Sequence, residues 1–528
     1  MRGAPEKAAV AALTAALALQ LVHGLRTDGL TNDEVLYIAA GWRQLALGDH
    51  RLNPTHPPLA SDLVALGLVG LRPRTGAFEN GDDPLAYAFR FVHIDNDARA
   101  VIARARTPVI VLALLLALLC RAWAREVGGR AAGLAALALF AFHPTLLAHG
   151  HLATTDLASA LAMMATSWCF WRWCRRPGAG WAAATALAFG AAVCTRLTAW
   201  ILAPCLLALT VLYVWRAPAE RRPRARRDAL VLGAMGLAMV PLAIWAAYGF
   251  HARMDHLLPQ PYLEGLRFQA AHNRRGHLAF LLGETSRHGW LSYFAVALAV
   301  KSTPGFLAAL GLAGAAARAR TAATPGATTH WLLPAAATFL AVSAGRIQIG
   351  ERYLLPVHVY LVPLVACGLA RWMARGRRSA PALAAAAALA LHALSGLSAN
   401  REGHLAYFNF LAGGTAGGHR VLLDSNLDWG QDLPRLASWM RRRGVDSVQL
   451  AYMGADDPAR FGIAREDLPG WRLHPGRPAR APLSGTVVVS PNLLFGLVPA
   501  VAPLYAPLRD RVPDERAGVF FVYRLGGP

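Results

Sequence analysis

Asp33 and Glu34 stand side by side in TNDEVLYIAAGWRQL, directly after the first long apolar run of the chain, and His56-Pro57-Pro58 follows in the same polar stretch. Neighbours on a helix point about 100° apart, so one carboxylate can face a cavity while the other caps the helix. A carboxylate partly desolvated at a membrane boundary has the chemistry of a general base toward a hydroxyl or amine. The plainer reading is a capping box, in which the Thr31 hydroxyl meets the Glu34 amide and the Glu34 side chain reaches back. The pair then only starts a short helix, with Leu36, Ala39, Ala40 and Leu47 along the membrane surface.

A second set lies in HGHLATTDLA, His149 to Ala158. Asp156 falls about one turn inside an apolar run, where an ionisable residue is a functional candidate; a helix cap with Thr154 or Thr155 is the alternative. His149 is a candidate substrate contact, and His149, His151 and Asp156 form a weak metal set. The cations make a third set: Arg104 and Arg106 before one apolar run, Arg196 in CTRLTAW, Lys301 in ALAVKSTPG, and Arg346 and Arg352 framing GRIQIGERYLLP. On the side of the membrane opposite the arginine-rich loops, such cations call for an anionic partner, and a lipid-borne phosphate is the natural one. Snorkelling to headgroups is the alternative for each singly. Last comes DSNLDWGQDLPRL, where Asp424, Asn426, Asp428, Gln431 and Asp432 gather beside Trp429. That stretch is either a turn that packs the tail onto the membrane part, or a recognition site with Trp429 as a stacking face and Asp428 among the groups bonding sugar hydroxyls.

These residues need elements to hold them. The chain has 528 residues, 55% of them hydrophobic, with a mean hydropathy of +0.34. Its apolar residues come in runs of about 18 to 22, the length that crosses a hydrocarbon core. Eleven spans are predicted, near 8–25, 107–123, 130–148, 154–172, 180–197, 199–215, 229–249, 291–312, 328–345, 353–371 and 380–398. The formal charge of +22 is not spread evenly. Five short loops, at 121–130, 172–176, 216–228, 318–320 and 371–378, hold 18 arginines against Glu126, Glu220 and Asp228, whereas 26–106 holds 9 arginines against 10 acids. That asymmetry places the basic loops in the cytoplasm and argues against nucleic acid as a partner.

The first span reads as an uncleaved signal anchor, since its A-x-A pattern lies inside the apolar run. The six cysteines fall in apolar runs or at their basic ends, none in the long polar loops or the tail, so neither a disulfide framework nor a zinc site is expected. Three pieces are left outside: a first loop (26–106), a middle loop (250–290) and a tail. The predicted division is a transmembrane module, 1–398, and an extracytoplasmic α/β domain, 399–528. In the tail HRVLLDS, VDSVQLAYM, GTVVVS and VFFVYRL read as strands and LPRLASWMRRRG as a helix.

Taken in order, Asp33–Glu34, HPPLA at 56–60, AR-x-P at 105–108, ATTD ending at Asp156, GETSRHGWLSYFAVALAVKSTPG at 283–305, IGERYLLP at 349–356 and YFNFLAGGTAGGHRVLLDSNLDWGQDL at 407–433 resemble the lipid-carrier-dependent glycosyltransferases of the GT-C structural class. That group includes protein O-mannosyltransferases and aminoarabinose transferases. The resemblance implies a polytopic α-helical GT-C fold and inverting transfer of a sugar from a polyprenyl phosphate to an extracytoplasmic acceptor, whether protein, lipid or glycan. It implies a multi-pass protein of a bacterial inner membrane, active on its outer side. By the same resemblance Asp33 takes the acceptor proton, Glu34 supports the first loop and Asp156 is a second acid. Arg106, Arg196, Lys301, Arg346 and Arg352 become candidates for the lipid phosphate, with Arg196 where relatives often carry lysine. His56, His149, Tyr353, Asp428 and Trp429 are the further candidate contacts. No cofactor is required, and a divalent cation is left open because some members of the class use one. A transporter of polyprenyl-linked sugars is the rival from another class; it predicts broken helices and paired half-repeats. A polysaccharide polymerase or ligase is the nearer enzymatic rival.

Overall fold

The structure, a computed structural model, describes residues 4–318, 325–376, 378–474, 476 and 483–526. Among these, six helices are long and apolar enough to cross a membrane: Ala4–Thr27, Ala98–Ala141, Leu197–Arg216, Ala219–Ala247, Glu351–Met373 and Ala380–Arg401. A bent pair, Tyr293–Lys301 with Pro304–Arg318, adds a seventh. Thr155–Arg175, Ala179–Thr195 and Pro325–Ala344 are helices where spans 154–172, 180–197 and 328–345 are expected. The multi-pass helical class is therefore as expected.

The run from Ala98 to Ala141 is two legs. Gly129 leaves the helix at φ 79°, ψ −172°, a conformation open to glycine, and the chain turns back there. A Cβ on Gly133 would lie 2.8 Å from that of Arg125. Glu6, at the start of the first helix, meets Arg121, Arg125 and Arg130, while Gln20, near its other end, donates to the Ala141 carbonyl at 2.9 Å.

Three expectations are corrected. The span at 291–312 is not straight: its halves meet at 111°. Pro304 cannot continue the first half, the Asn409 amide donates to the Ala299 and Ser302 carbonyls at 2.7 and 2.8 Å, and Thr303 accepts from Phe306 N at 3.0 Å as cap of the second half. The helix Glu34–Leu47 does not lie along the membrane surface, because Ile38, Ala39 and Ala40 are fully buried. It packs on Leu59–Ala65 so closely that a Cβ on Gly41 would sit 2.0 Å from the Ser61 carbonyl oxygen. HRVLLDS is not a strand. Leu422 makes one isolated bridge to Leu281, and the chain then enters a tight turn at Asp424–Asn426, with Asp424 at φ 58°.

The other tail segments form as read. Arg465–Asp467, Val448–Ala451, Gly485–Val489, Phe520–Leu525 and Glu515–Ala517 lie side by side in that order, the first three parallel and the last two joined antiparallel. The helix Leu433–Arg443 buries Leu433, Leu436, Trp439 and Met440 against Val448, Leu450, Val488 and Phe520 of the sheet.

Candidate active site

The segment DSNLDWGQD is the joint on which the site is built. Gly29 N donates to the Gln431 carbonyl at 2.7 Å and Asn32 N to that of Trp429 at 2.9 Å. The tail thus runs alongside residues 29–32 and fixes the residue that follows them, Asp33. Around this joint Arg435 bridges Asp28 and Asp432 at 2.8 and 2.6 Å, and Asp456 accepts from Leu30 N at 2.7 Å. Of the two readings for this stretch, the geometry favours packing. Asp428 is wholly buried and accepts from Ser490 and from Gly430 N; it does not line the cavity described next.

That cavity holds about 610 Å³ and is lined on one wall by Asp33, Tyr37, His56, Arg196, Arg352 and Tyr353. Asp33 accepts from Arg352 at 2.6 Å. Arg352 also stacks over Trp429, 4.3 Å from its centroid. Arg196 pairs with Asp156 and stands 4.7 Å over the Tyr353 ring, whose centroid is 5.6 Å from the Arg352 guanidinium. Two guanidiniums, each backed by a carboxylate, thus flank one tyrosine at the cavity wall. Cations on aromatic faces in a partly desolvated site gain about 1–2 kcal/mol each. His56 reaches the Tyr37 hydroxyl at 3.4 Å, and burial, then the Arg196 charge, push its imidazole down to about 4. It stands neutral at neutral pH.

Local sequence sets these positions. Arg196 is extended (φ −159°, ψ 135°) between the helix Ala179–Thr195 and the tight turn Leu197–Ile201. Arg352 sits in the turn Glu351–Leu354, whose Glu351 is tied to His358 and Thr145, both at 2.8 Å, and whose amide meets Asn426 at 2.8 Å. Only glycine fits before it: a Cβ on Gly350 would lie 2.1 Å from Ser425 Oγ.

Other sequence-predicted residues are held elsewhere. Glu34 and Arg106 are fully buried against each other, with Arg106 Nε and Nη2 on the carboxylate at 2.8 and 2.7 Å. The guanidinium also meets the carbonyls of Asp28, Gly29 and Leu25 at 2.8, 2.7 and 3.5 Å, so its five donors are all engaged and none is left for a lipid phosphate. Glu34 further accepts from Thr31 N, the Thr31 hydroxyl and Ala153 N. Only half of the capping box forms, because the hydroxyl donates to the carboxylate. Burial opposes the Glu34 charge, yet Arg106 and these bonds hold its carboxyl below the ordinary value.

Lys301 is buried at the bend and spends its ammonium on the carbonyls of Leu405 and Asn426, at 2.7 and 2.6 Å, rather than on the cavity. Arg346 is exposed and donates to the Arg274 carbonyl at 3.1 Å. His149 is buried with its ring 6.0 Å from Trp429, and His151 is tied to Leu147 and Asp28. The metal set His149–His151–Asp156 does not assemble, and among the described residues no group of three or more His, Cys, Asp or Glu converges as metal ligands.

Sequence reasoning missed Tyr37, Thr55 and the polar face Gln269, His272 and Asn273 of the middle-loop helix Gln260–Arg275, all at the cavity. Tyr37 lies four residues after Asp33, hence on the same face, and that spacing was a usable signal. The middle-loop residues carry no charge pattern that sets them apart. Asp424 stands in the sequence only as one of the polar residues beside Trp429, but it feels both Arg352 and Asp33, and burial raises its carboxyl to about 6.

The packing role of Asp428 has a pH signature. Burial raises its carboxyl to about 7, so the native state holds a proton that the unfolded chain releases near 4. Its stabilising contribution is complete below pH 4 and disappears as pH rises through 7. Asp428→Asn is expected to melt close to the parent at pH 5 and higher at pH 8, by on the order of 2 kcal/mol. Thermal unfolding at the two pH values reads this; an equal effect at both would show that the Asp428 carboxyl is not raised.

Residues 16–257, a little under half of the chain, match the family model described as dolichyl-phosphate-mannose-protein mannosyltransferase. No curated protein sequence matches the chain. Among solved structures, ArnT from Cupriavidus metallidurans in the apo state is similar over 98% of this chain and 99% of its own, at 16% identity and a TM-score of 0.50. The archaeal oligosaccharyltransferase AglB from Archaeoglobus fulgidus, solved with an inhibitory peptide and a dolichol-phosphate, is similar over 99% of this chain and 74% of its own, at 12% identity and a TM-score of 0.51. The fold expected from the resemblance is borne out: the chain has the GT-C fold that ArnT and AglB share, and residues 16–257 match the protein mannosyltransferase model.

Proposed function

We propose that this protein is an inverting membrane glycosyltransferase that moves a sugar from a polyprenyl-phosphate donor to a hydroxyl or amine of an acceptor at the outer face of a bacterial inner membrane. The observation that carries this reading is one cavity wall bearing the carboxylate Asp33 together with the guanidiniums Arg196 and Arg352. A departing polyprenyl phosphate gathers charge on its oxygens, and fixed cations in a low-dielectric site stabilise that charge. Arg352 is shared. A donor phosphate competes with Asp33 for it, and capture of the guanidinium releases Asp33 to take the acceptor proton as the new glycosidic bond forms. Asp156 orients Arg196 in this scheme, and neutral His56 with Tyr37 offers hydrogen bonds to sugar hydroxyls. A dolichol-phosphate in the AglB structure supports this donor class.

Purified protein incubated with a panel of polyprenyl-phosphate sugars and membrane acceptors is expected to consume one donor and release free polyprenyl phosphate, followed by mass spectrometry. Consumption of none, with lipid flipping in vesicles, would replace the transferase by a transporter. The two guanidiniums supply the positive charge themselves, so turnover is expected to stay within about twofold after chelation of divalent ions. A loss of tenfold or more, restored by one metal, would assign a metal to the reaction.

A further inference from the structure

A second cavity, of about 610 Å³, opens at the other end of the membrane part. The helix Thr155–Arg175 begins beside Asp156 at the candidate active site and ends here after 21 residues, about 30 Å away. Arg175, Arg216, Arg221 and Arg224 line it, with Asp228 the one lining carboxylate. Among the described residues no ion pair engages Arg216, Arg221 or Arg224, and Arg175 only approaches, at 3.6 Å, a Glu126 that Arg172 already holds at 2.8 Å. The arginines of the candidate active site are each matched by a carboxylate; Arg216, Arg221 and Arg224 are not.

Leu209, Leu212 and Ala225 give it an apolar side, and the next turns of the helices that carry them line a separate apolar cavity. Leu202–Arg216 and Arg222–Ala247 follow each other in sequence, and the second buries only Ala225, Val240 and Ile244. Between them and the helix Ala179–Thr195 lies an apolar cavity of about 580 Å³ that runs from Ala229 to Pro241, about 18 Å along the helix axis. Gly233 and Gly236 face it with open space where a Cβ would stand. Basic pockets of this kind between membrane helices hold lipid headgroups. A mouth with the unpaired guanidiniums of Arg216, Arg221 and Arg224 beside a lining that is apolar but for Thr185 and Thr210 has the chemistry of one molecule, a phosphate at the interface with hydrocarbon below it.

We infer that this groove is a binding site for an anionic diacyl phospholipid of the arginine-rich leaflet, its phosphate among Arg216, Arg221 and Arg224 and a chain along Gly233–Pro241. The site is separate from the proposed sugar-transfer cavity and does not depend on that reading.

Native mass spectrometry of the full chain in non-ionic detergent tests it, with phosphatidylglycerol, phosphatidylcholine of the same chains, undecaprenyl phosphate and inorganic phosphate as probes. Phosphatidylglycerol is expected to bind at concentrations where phosphatidylcholine does not. Arg216→Gln, Arg221→Gln and Arg224→Gln together are expected to weaken it at least tenfold. Gly233→Leu with Gly236→Leu fills the groove without touching the arginines and is expected to weaken it similarly, with lipid-free melting unchanged. Equal binding of the two phospholipids, or undiminished phosphatidylglycerol on the groove-filled variant, overturns the site. Preferential capture of undecaprenyl phosphate at these arginines would make it a carrier site instead, and competition by inorganic phosphate alone would make it a small-anion site; either overturns the inference.

Discussion

Asp33→Asn is expected to lower the turnover of sugar transfer by about 10²–10⁴-fold, the range for loss of a positioned general base. The amide occupies the same volume and can still accept from Arg352, so folding and the cavity are preserved. The donor KM is expected to stay level or to fall, because a neutral partner holds Arg352 less tightly against an incoming phosphate. Arg352→Met is expected to do the reverse to the donor KM, raising it as well as slowing turnover, since it removes charge that meets both ground state and transition state. Steady-state kinetics with a single donor distinguishes the two. Turnover of Asp33→Asn within tenfold of the parent would remove Asp33 from the base role.

Arg106→Met carries the largest expected effect on stability. Its guanidinium and the Glu34 carboxylate are both fully buried, so removal of one leaves an uncompensated charge, at a cost of about 3–5 kcal/mol. The Glu34→Gln/Arg106→Met pair is expected to recover much of that loss, since neither charge then remains in the interior. Melting temperatures of the parent, the single and the double variant in one detergent measure the pattern. If Arg106→Met melts with the parent and raises only the donor KM, the residue binds phosphate after all.

These two residues show how far sequence carries. Asp33 and Glu34 were recognised as a pair with divided tasks, because a helix turns adjacent side chains apart. The geometry follows that division: Asp33 faces the cavity, and Glu34 clamps the first loop to Arg106 and Ala153. Arg196 and Arg352 are likewise legible as cations at the ends of apolar runs, whereas His56 stands out only by its place in the polar stretch after Asp33 and Tyr353 only through the resemblance. Arg106 and Lys301 carried the same signal and serve another end, because a cation near the membrane looks alike whether its partner is a ligand or a backbone carbonyl. Only the fold decides which, and here it brings the Asp28 and Gly29 carbonyls to Arg106 and the Leu405 and Asn426 carbonyls to Lys301.

The helical spans were readable from hydropathy and arginine placement, including the turn at Gly129. The 111° bend before Pro304 was not, since hydropathy is blind to direction. DSNLDWGQD has two readings in the sequence because its role is long-range: it pairs with residues 29–32, some four hundred positions earlier, and no local pattern announces that.

The most direct test of the proposed chemistry is a structure of the Asp33→Asn protein with its polyprenyl-phosphate sugar bound, at a resolution that shows the phosphate. The proposed mechanism places that phosphate between Arg196 and Arg352, with the anomeric carbon exposed to residue 33 on the face opposite the leaving oxygen. A phosphate seated away from both guanidiniums, or residue 33 on the same face as the leaving oxygen, would contradict it.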